Sequence, residues 1–191
     1  MTMEDVILVG YGGHAKSVAD CIERKKEYRI IGYTEPAEVE SRYPYLGTDE
    51  VLKHYFSKGI RNVAICQGYL GHGKLRQKLY KYVKDIGYTL PVITDSSSII
   101  SNTATIGEGT FIGKGAIVNA ESRIGKMAII NTMSLIEHEC VVGDFSHVAV
   151  AAVLCGQVEI GEAAFIGANS TVIQCRKIES GKIVPAGVTI R

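Results

Sequence analysis

"ISNTATIGEGTFIGKGAIVNAESRIGKMAI", residues 100–129, repeats itself every six residues, and that period decides the fold. An aliphatic residue opens each hexad, at Ile100, Ile106, Ile112, Val118 and Ile124, and the series continues unbroken to Ile190, sixteen positions in all. The position four residues later is mostly small: Ala104, Thr110, Ala116, Ser122 and Ala128 here, then Ser134, Cys140, Ser146, Ala152, Ala164 and Ser170. Neither the 3.6-residue turn of a helix nor the two-residue alternation of a strand produces a period of six. Six residues suit one flat face of a triangular prism. Three hexads then close a coil of 18 residues, and stacked coils line the aliphatic residues into interior columns. About five such coils fit residues 100–191. The register carries no insertion, and only near the end do Arg176 and Lys182 replace the small residue, as in a capping coil.

Towards the N-terminus the period changes. "DVILVGYGGHAKSVADCIERK", residues 5–25, is an apolar run, a glycine turn and an amphipathic stretch, which is one βα unit. "RIIGYTE" and "RNVAICQG" are further strands, and "GKLRQKLYKYVKDIG" predicts a helix with Leu75, Leu79, Tyr82, Val83 and Ile86 on its apolar face. This alternation predicts a small parallel sheet flanked by helices. Pro91 and "TDSSS" mark the boundary, giving an α/β domain over residues 1–95 and an all-β domain over residues 96–191.

Of 191 residues 46% are apolar, enough for a buried core, and 21 basic residues nearly balance 20 acidic ones. No basic stripe suits a phosphate backbone, so nucleic acid is not an expected partner. The start "MTMEDVILVGYGG" lacks a secretory pattern and no apolar run spans a bilayer, so the expected setting is cytoplasmic, without membrane insertion. Five cysteines without CxxC spacing are read as reduced thiols.

Residues 18 apart stack on adjacent coils, roughly 4.8 Å apart. One such column is Asn102, Ala120, His138, Gly156 and Gln174, with His138 at a corner where a polar side chain leaves the prism. Gly156 above it has no side chain to cover the imidazole. Glu137 and Glu139 flank His138, and a carboxylate on one ring nitrogen would make the other a better base. Spacing alone does not choose between the two acids. His54 and His72 have no comparable setting.

The hexads resemble the hexapeptide-repeat acyltransferases. "ILVGYGGHAKSVAD", "INTMSLIEHECVVGDFSHVAV" and "GQVEIGEAAFIGANSTV" together resemble the sugar acetyltransferases of the bacillosamine-pathway N-acetyltransferase and sialic acid O-acetyltransferase subfamily. That resemblance implies a Rossmann-like sugar-nucleotide-binding domain followed by a left-handed parallel β-helix, assembled as a homotrimer with acetyl-CoA between prisms. The hand comes from the resemblance alone, since parallel crossovers generally favour the right. It further implies His138 as general base with Glu139 raising its basicity, Asn131 holding the acceptor, and His147 near the thioester. Gly156 would be the oxyanion donor, with Gly167, Ala168 and Ala186 as further acetyl-CoA contacts. In the first domain Gly12, Gly13, His14 and Glu35 would meet the nucleotide sugar. "GYTEP" leaves Glu35 as the single acid where relatives often carry two.

The expected reaction is direct acetyl transfer from acetyl-CoA to the amine of a nucleotide-activated sugar, of the UDP-4-amino-dideoxy type, in bacterial glycan biosynthesis. No metal is expected, because the repeat offers two histidines rather than three. Two other readings stand beside it: an O-acetyltransferase of sialic acid or another sugar, and a non-catalytic trimer that binds sugar nucleotides.

Overall fold

A computed structural model describes residues 3–68 and 74–191. His72 and most of the glycine-rich loop around it lie outside the described residues.

The first part alternates strands and helices: β1 Glu4–Val9, α1 Gly13–Lys25, β2 Tyr28–Thr34, β3 Tyr45–Gly47, α2 Leu52–Ser57, β4 Asn62–Ile65 and α3 Lys74–Ile86. The four strands pair in parallel in the order β3-β2-β1-β4. Strand β1, fully inside the sheet, reads as a continuous apolar run, as a strand covered on both faces must. Its Val6 and Leu8 pack beneath α1 through Ala15, Val18 and Ile22, while Ile7 and Val9 face α2 and α3 through Leu52 and Val83.

From Ile93 onward every strand is two residues long and pairs in parallel with the strand 18 residues away. Three flat sheets result. The first face carries Ile93–Thr94, Phe111–Ile112, Ile129–Ile130, His147–Val148, Phe165–Ile166 and Ile183–Val184. The second runs from Ile99–Ile100 to Thr189–Ile190, and the third from Thr105–Ile106 to Lys177–Ile178. The prism is a left-handed β-helix of about five turns. The hexad-opening residues fill its interior, with Ile112, Ile130, Ile136, Val148, Leu154 and Ile166 fully buried.

The corners explain the small position. Ala116, Ala128, Ala152 and Ala164 are fully buried there, and Thr110, Ser122 and Ser146 use their hydroxyls to satisfy the carbonyls of Gly125, Glu137 and Gly161 at 2.7 Å. From Gly109 onward each corner also holds one residue at positive φ, and at ten of these positions it is not glycine, as at Glu121, Met127, Glu139 and Gln157. That conformation costs about 1–2 kcal/mol per residue. The amides at these sites recover part of it by donating to the coil below, as Glu139 N–H does to Ala120 O and Gln157 N–H to His138 O.

The outward residues of the three faces differ. Ile93, Phe111 and Ile129 on the first face are buried in one cluster with Val6, Ala15 and Val18 of the first domain. The third face presents Thr105, Arg123, Val141, Glu159 and Lys177, mostly polar. The second presents Ile99, Ile117, Leu135 and Val153, with Ile99 64% exposed.

Helix α3 runs along the edge between the third and first faces. Arg76, not Leu75, points inward there: Leu75 is 40% exposed and Arg76 2%. The apolar pattern misplaces Leu75 because the prism edge offers carbonyls, which a guanidinium satisfies and leucine cannot. Arg76 Nη1 donates to Phe145 O at 3.1 Å and Nη2 to Met127 O. Tyr80 Oη donates to Glu108, Lys84 pairs with Glu108, and Gln77 reaches Glu162.

Candidate active site

The predicted residues fall into three groups. The first lies at the edge between the second and third faces. His138 Nδ1 is 3.0 Å from Glu139 Oε2, whereas Glu137 Oε2 accepts the His138 backbone N–H at 3.2 Å. The geometry thus separates the two flanking acids: Glu139 holds the ring and Glu137 caps the corner. The Glu139 carboxyl is held below the usual carboxylate range, first by His138 and then by the Gln157 amide. Across the ring, a Cβ built on Gly156 would lie 2.6 Å from both Cε1 and Nε2 of His138. Only glycine lets the imidazole rest on the next coil. Gly156 N–H has no acceptor among the described residues. A ring nitrogen facing outward beside a free amide can take a proton while the amide stabilises developing negative charge.

The second group lies along the edge between the first and second faces. Asn131 follows Ile130 at that corner, with Oδ1 accepting Thr132 N–H at 2.8 Å and Nδ2 3.3 Å from His147 Nε2. Since an amide nitrogen only donates, Nε2 of His147 accepts. Gly167 stands two coils above Asn131, where a Cβ would come within 2.4 Å of Ala186 N, so this glycine is needed for coil stacking. Ala168 and Ala186 stack beside it at the same edge. The second face separates this group from His138, and one chain alone does not bring the two together.

The third group surrounds the start of α1. Gly12 is its N-cap, without a side-chain cap, and a Cβ on Gly12 or Gly13 would meet nothing within 4 Å. Neither crowding nor positive φ requires these glycines, and the helix amides stand open. Glu35 Oε1 accepts Tyr11 N–H at 2.6 Å, tying the second strand to the glycine turn. An open cleft of about 640 Å³ beside this turn is lined by Tyr11, Lys16, Glu40, Ser41 and Arg42. Sequence reasoning passed over Lys16, in the first turn of α1, and Arg42, which only the folded loop brings to the glycine turn. His14 packs edge-on against Phe111, 5.0 Å between centroids, at the junction of the domains.

His14 and His147 share this junction with Arg76. The His14 pKa is lowered from 6.5 to about 4, first by burial and then by the Arg76 charge. That of His147 is lowered to about 3 by burial, with His14 and Arg76 adding. His147 is therefore neutral at neutral pH and a weak proton acceptor. Unfolding exposes both rings to protonation near pH 6.5, so below that pH the unfolded state binds more protons and stability falls as pH falls. The loss is expected to reach about 3 kcal/mol by pH 5.2, near 1.4 kcal/mol per unit for each histidine. Urea midpoints at pH 7.5 and pH 5.2 measure it, and equal midpoints would contradict the buried-neutral assignment.

Among the described residues no group of three or more His, Cys, Asp or Glu could hold a metal ion, and no helix is long and apolar enough to cross a membrane.

Residues 5–83 match the family described as the PglD N-terminal domain. Over its full length the chain superposes, with a TM-score of 0.93 and 31% identity, on 90% of a histidine-to-asparagine variant of perosamine N-acetyltransferase from Caulobacter crescentus, solved in complex with CoA and GDP-perosamine. The acetyltransferase domain of PglB from Neisseria gonorrhoeae, in complex with acetyl coenzyme A, matches with a TM-score of 0.91 and 26% identity, covering all of this chain and 92% of that one. GDP-perosamine N-acetyltransferase of Escherichia coli O157:H7 is 27% identical over 132 residues, 69% of this chain and 58% of that protein. The chain spans little more than half the length of the curated relatives it matches.

Proposed function

The chain belongs to the hexapeptide-repeat sugar acetyltransferases, and from that premise we propose that it transfers the acetyl group of acetyl-CoA to the amine of a nucleotide-linked amino sugar. The observation that carries this reading is the His138 ring, held at Nδ1 by Glu139 and packed at Nε2 against Gly156. As the acceptor nitrogen bonds to the thioester carbonyl carbon and the carbon–sulfur bond breaks, His138 Nε2 takes the amine proton and passes it to the departing thiolate. The Gly156 amide donates to the carbonyl oxygen while it carries negative charge. No covalent acetyl-enzyme is needed.

The separation of the two prism edges favours a homotrimer. The apolar second face lies between the His138 edge and the Asn131 edge. Three copies turning their second faces inward bury Ile99, Ile117, Leu135 and Val153, and a closed threefold ring sets the His138 edge of each against the Asn131, Gly167, Ala168 and Ala186 edge of the next. Acetyl-CoA would lie in that seam, with Asn131 holding the acceptor and His147 fixing the Asn131 amide near the thioester. The nucleotide would occupy the cleft at Tyr11, its diphosphate on the amides of Gly12, Gly13 and His14 with Lys16 and Arg42 as counter-charges, while Glu35 shapes the turn. That setting suits bacterial glycan biosynthesis in the cytoplasm.

Release of free CoA thiol from acetyl-CoA, measured across UDP- and GDP-linked amino sugars, sialic acid and its nucleotide, tests the reading. Release is expected with an amino sugar nucleotide. Release with sialic acid alone would make this an O-acetyltransferase. Calorimetric binding of a sugar nucleotide without binding of acetyl-CoA would leave a non-catalytic binding protein.

A further inference from the structure

Resting on the reading of His138 as base, we propose that Gln157 is a positioning residue for the transfer: it anchors the Glu139 carboxylate on His138 and so fixes where the base points. Gln157 Nε2 donates to Glu139 Oε2 at 3.2 Å, and the same oxygen is 3.0 Å from His138 Nδ1. Two donors therefore converge on one carboxylate oxygen from adjacent coils.

The fold builds this arrangement. Glu139, Gln157 and Cys175 stand 18 residues apart at one prism edge, each at positive φ, so their side chains project from the same place on successive coils. The backbone N–H of Gln157 donates to His138 O at 2.9 Å. Cys175 Sγ donates to Gln157 Oε1 at 3.3 Å, which turns the oxygen end of the amide away from Glu139 and the donating end towards it. One coil thus supplies both the bare Cα of Gly156 above the imidazole and the amide that steadies its acid.

The anchor matters because the pair is exposed. The side chains of His138 and Glu139 are 56% and 46% accessible, and an exposed hydrogen-bonded pair with free rotamers is weakly ordered. A second donor on Oε2 restricts the carboxylate to the position in which Nδ1 keeps its proton and Nε2 keeps its lone pair.

The test uses the full chain labelled with ¹⁵N-histidine. In the native protein the His138 resonances should report the Nδ1–H tautomer. Gln157→Leu should move them towards the mixture of a free imidazole and lower kcat roughly 3–10-fold, about the worth of one ordinary hydrogen bond, with KM within about twofold. Gln157→Lys restores a donor and should restore the tautomer, while its positive charge lowers the pH of the acid limb. In a Glu139→Ala background, Gln157→Leu should change nothing further. Activity is read as CoA release with the UDP- and GDP-linked amino sugars of the acceptor panel. If His138→Ala abolishes release while Gln157→Leu leaves both tautomer and kcat intact, the role of Gln157 is overturned and the base stands. If His138→Ala leaves release unchanged, the base reading falls and this role falls with it.

Discussion

Replacing His138 by alanine is expected to lower kcat/KM roughly 10²–10⁴-fold, the usual contribution of a positioned general base. The loss should fall mainly on kcat, because the proton is taken in the transition state rather than on binding. His138 makes no buried contact that its removal would forfeit, so the melting temperature should stay within about 2 °C of native. Gly156→Ala is the companion change. It keeps the imidazole but places a methyl group 2.6 Å from its Cε1 and Nε2, so the ring must leave its coil and the loss should approach that of His138→Ala. Steady-state CoA release with circular dichroism melts distinguishes chemistry from unfolding. Activity of His138→Ala within about threefold of native would reject the base.

The second large effect is on stability. Arg76→Met removes a guanidinium that donates to the carbonyls of Met127 and Phe145 at the junction of α3 and the prism. Each buried carbonyl left without a partner costs about 1–3 kcal/mol, and some is returned because no cation remains buried. A net loss of about 2–4 kcal/mol is expected, a fall of about 5–15 °C in melting temperature at this chain length. Arg76→Lys should lose nearly as much, since a single ammonium does not reproduce the fork that serves two carbonyls. Met127 and Phe145 each lie two residues before the strands that carry Ile129 and His147. The variant should therefore also loosen His147. An unchanged melting temperature would show that the domains are held together by other contacts.

The prism was legible because its period is enforced by one physical requirement repeated sixteen times, an aliphatic residue in a triangular core. The same counting put His138 on a corner and under Gly156 without any knowledge of the first domain. Counting did not choose between Glu137 and Glu139, because positive φ at Glu139 and capping by Glu137 are properties of the folded corner. Nor did it find Arg76. A signal was present: Arg76 and Val83 are seven residues apart and share one helical face, so an arginine stood in register with the core. Without the prism edge opposite, its carbonyl partners had no place in the sequence, and Leu75 looked the better inward residue. Arg42 and Gln157 were missed for the same reason, since the Tyr11 turn and Glu139 lie far from them in the chain.

The unbroken register from Ile93 to Ile190 has a consequence for how such a chain can change length. Deleting one residue anywhere in the prism would turn every later aliphatic side chain outwards, whereas deleting 18 removes a whole storey and leaves the interior columns continuous. Length is thus quantised. Floors can be added or lost as units, while the contacts of His138 with Gly156 and of Glu139 with Gln157 need only the two coils that carry them. The prism is a ruler, and His138 is one of its graduations.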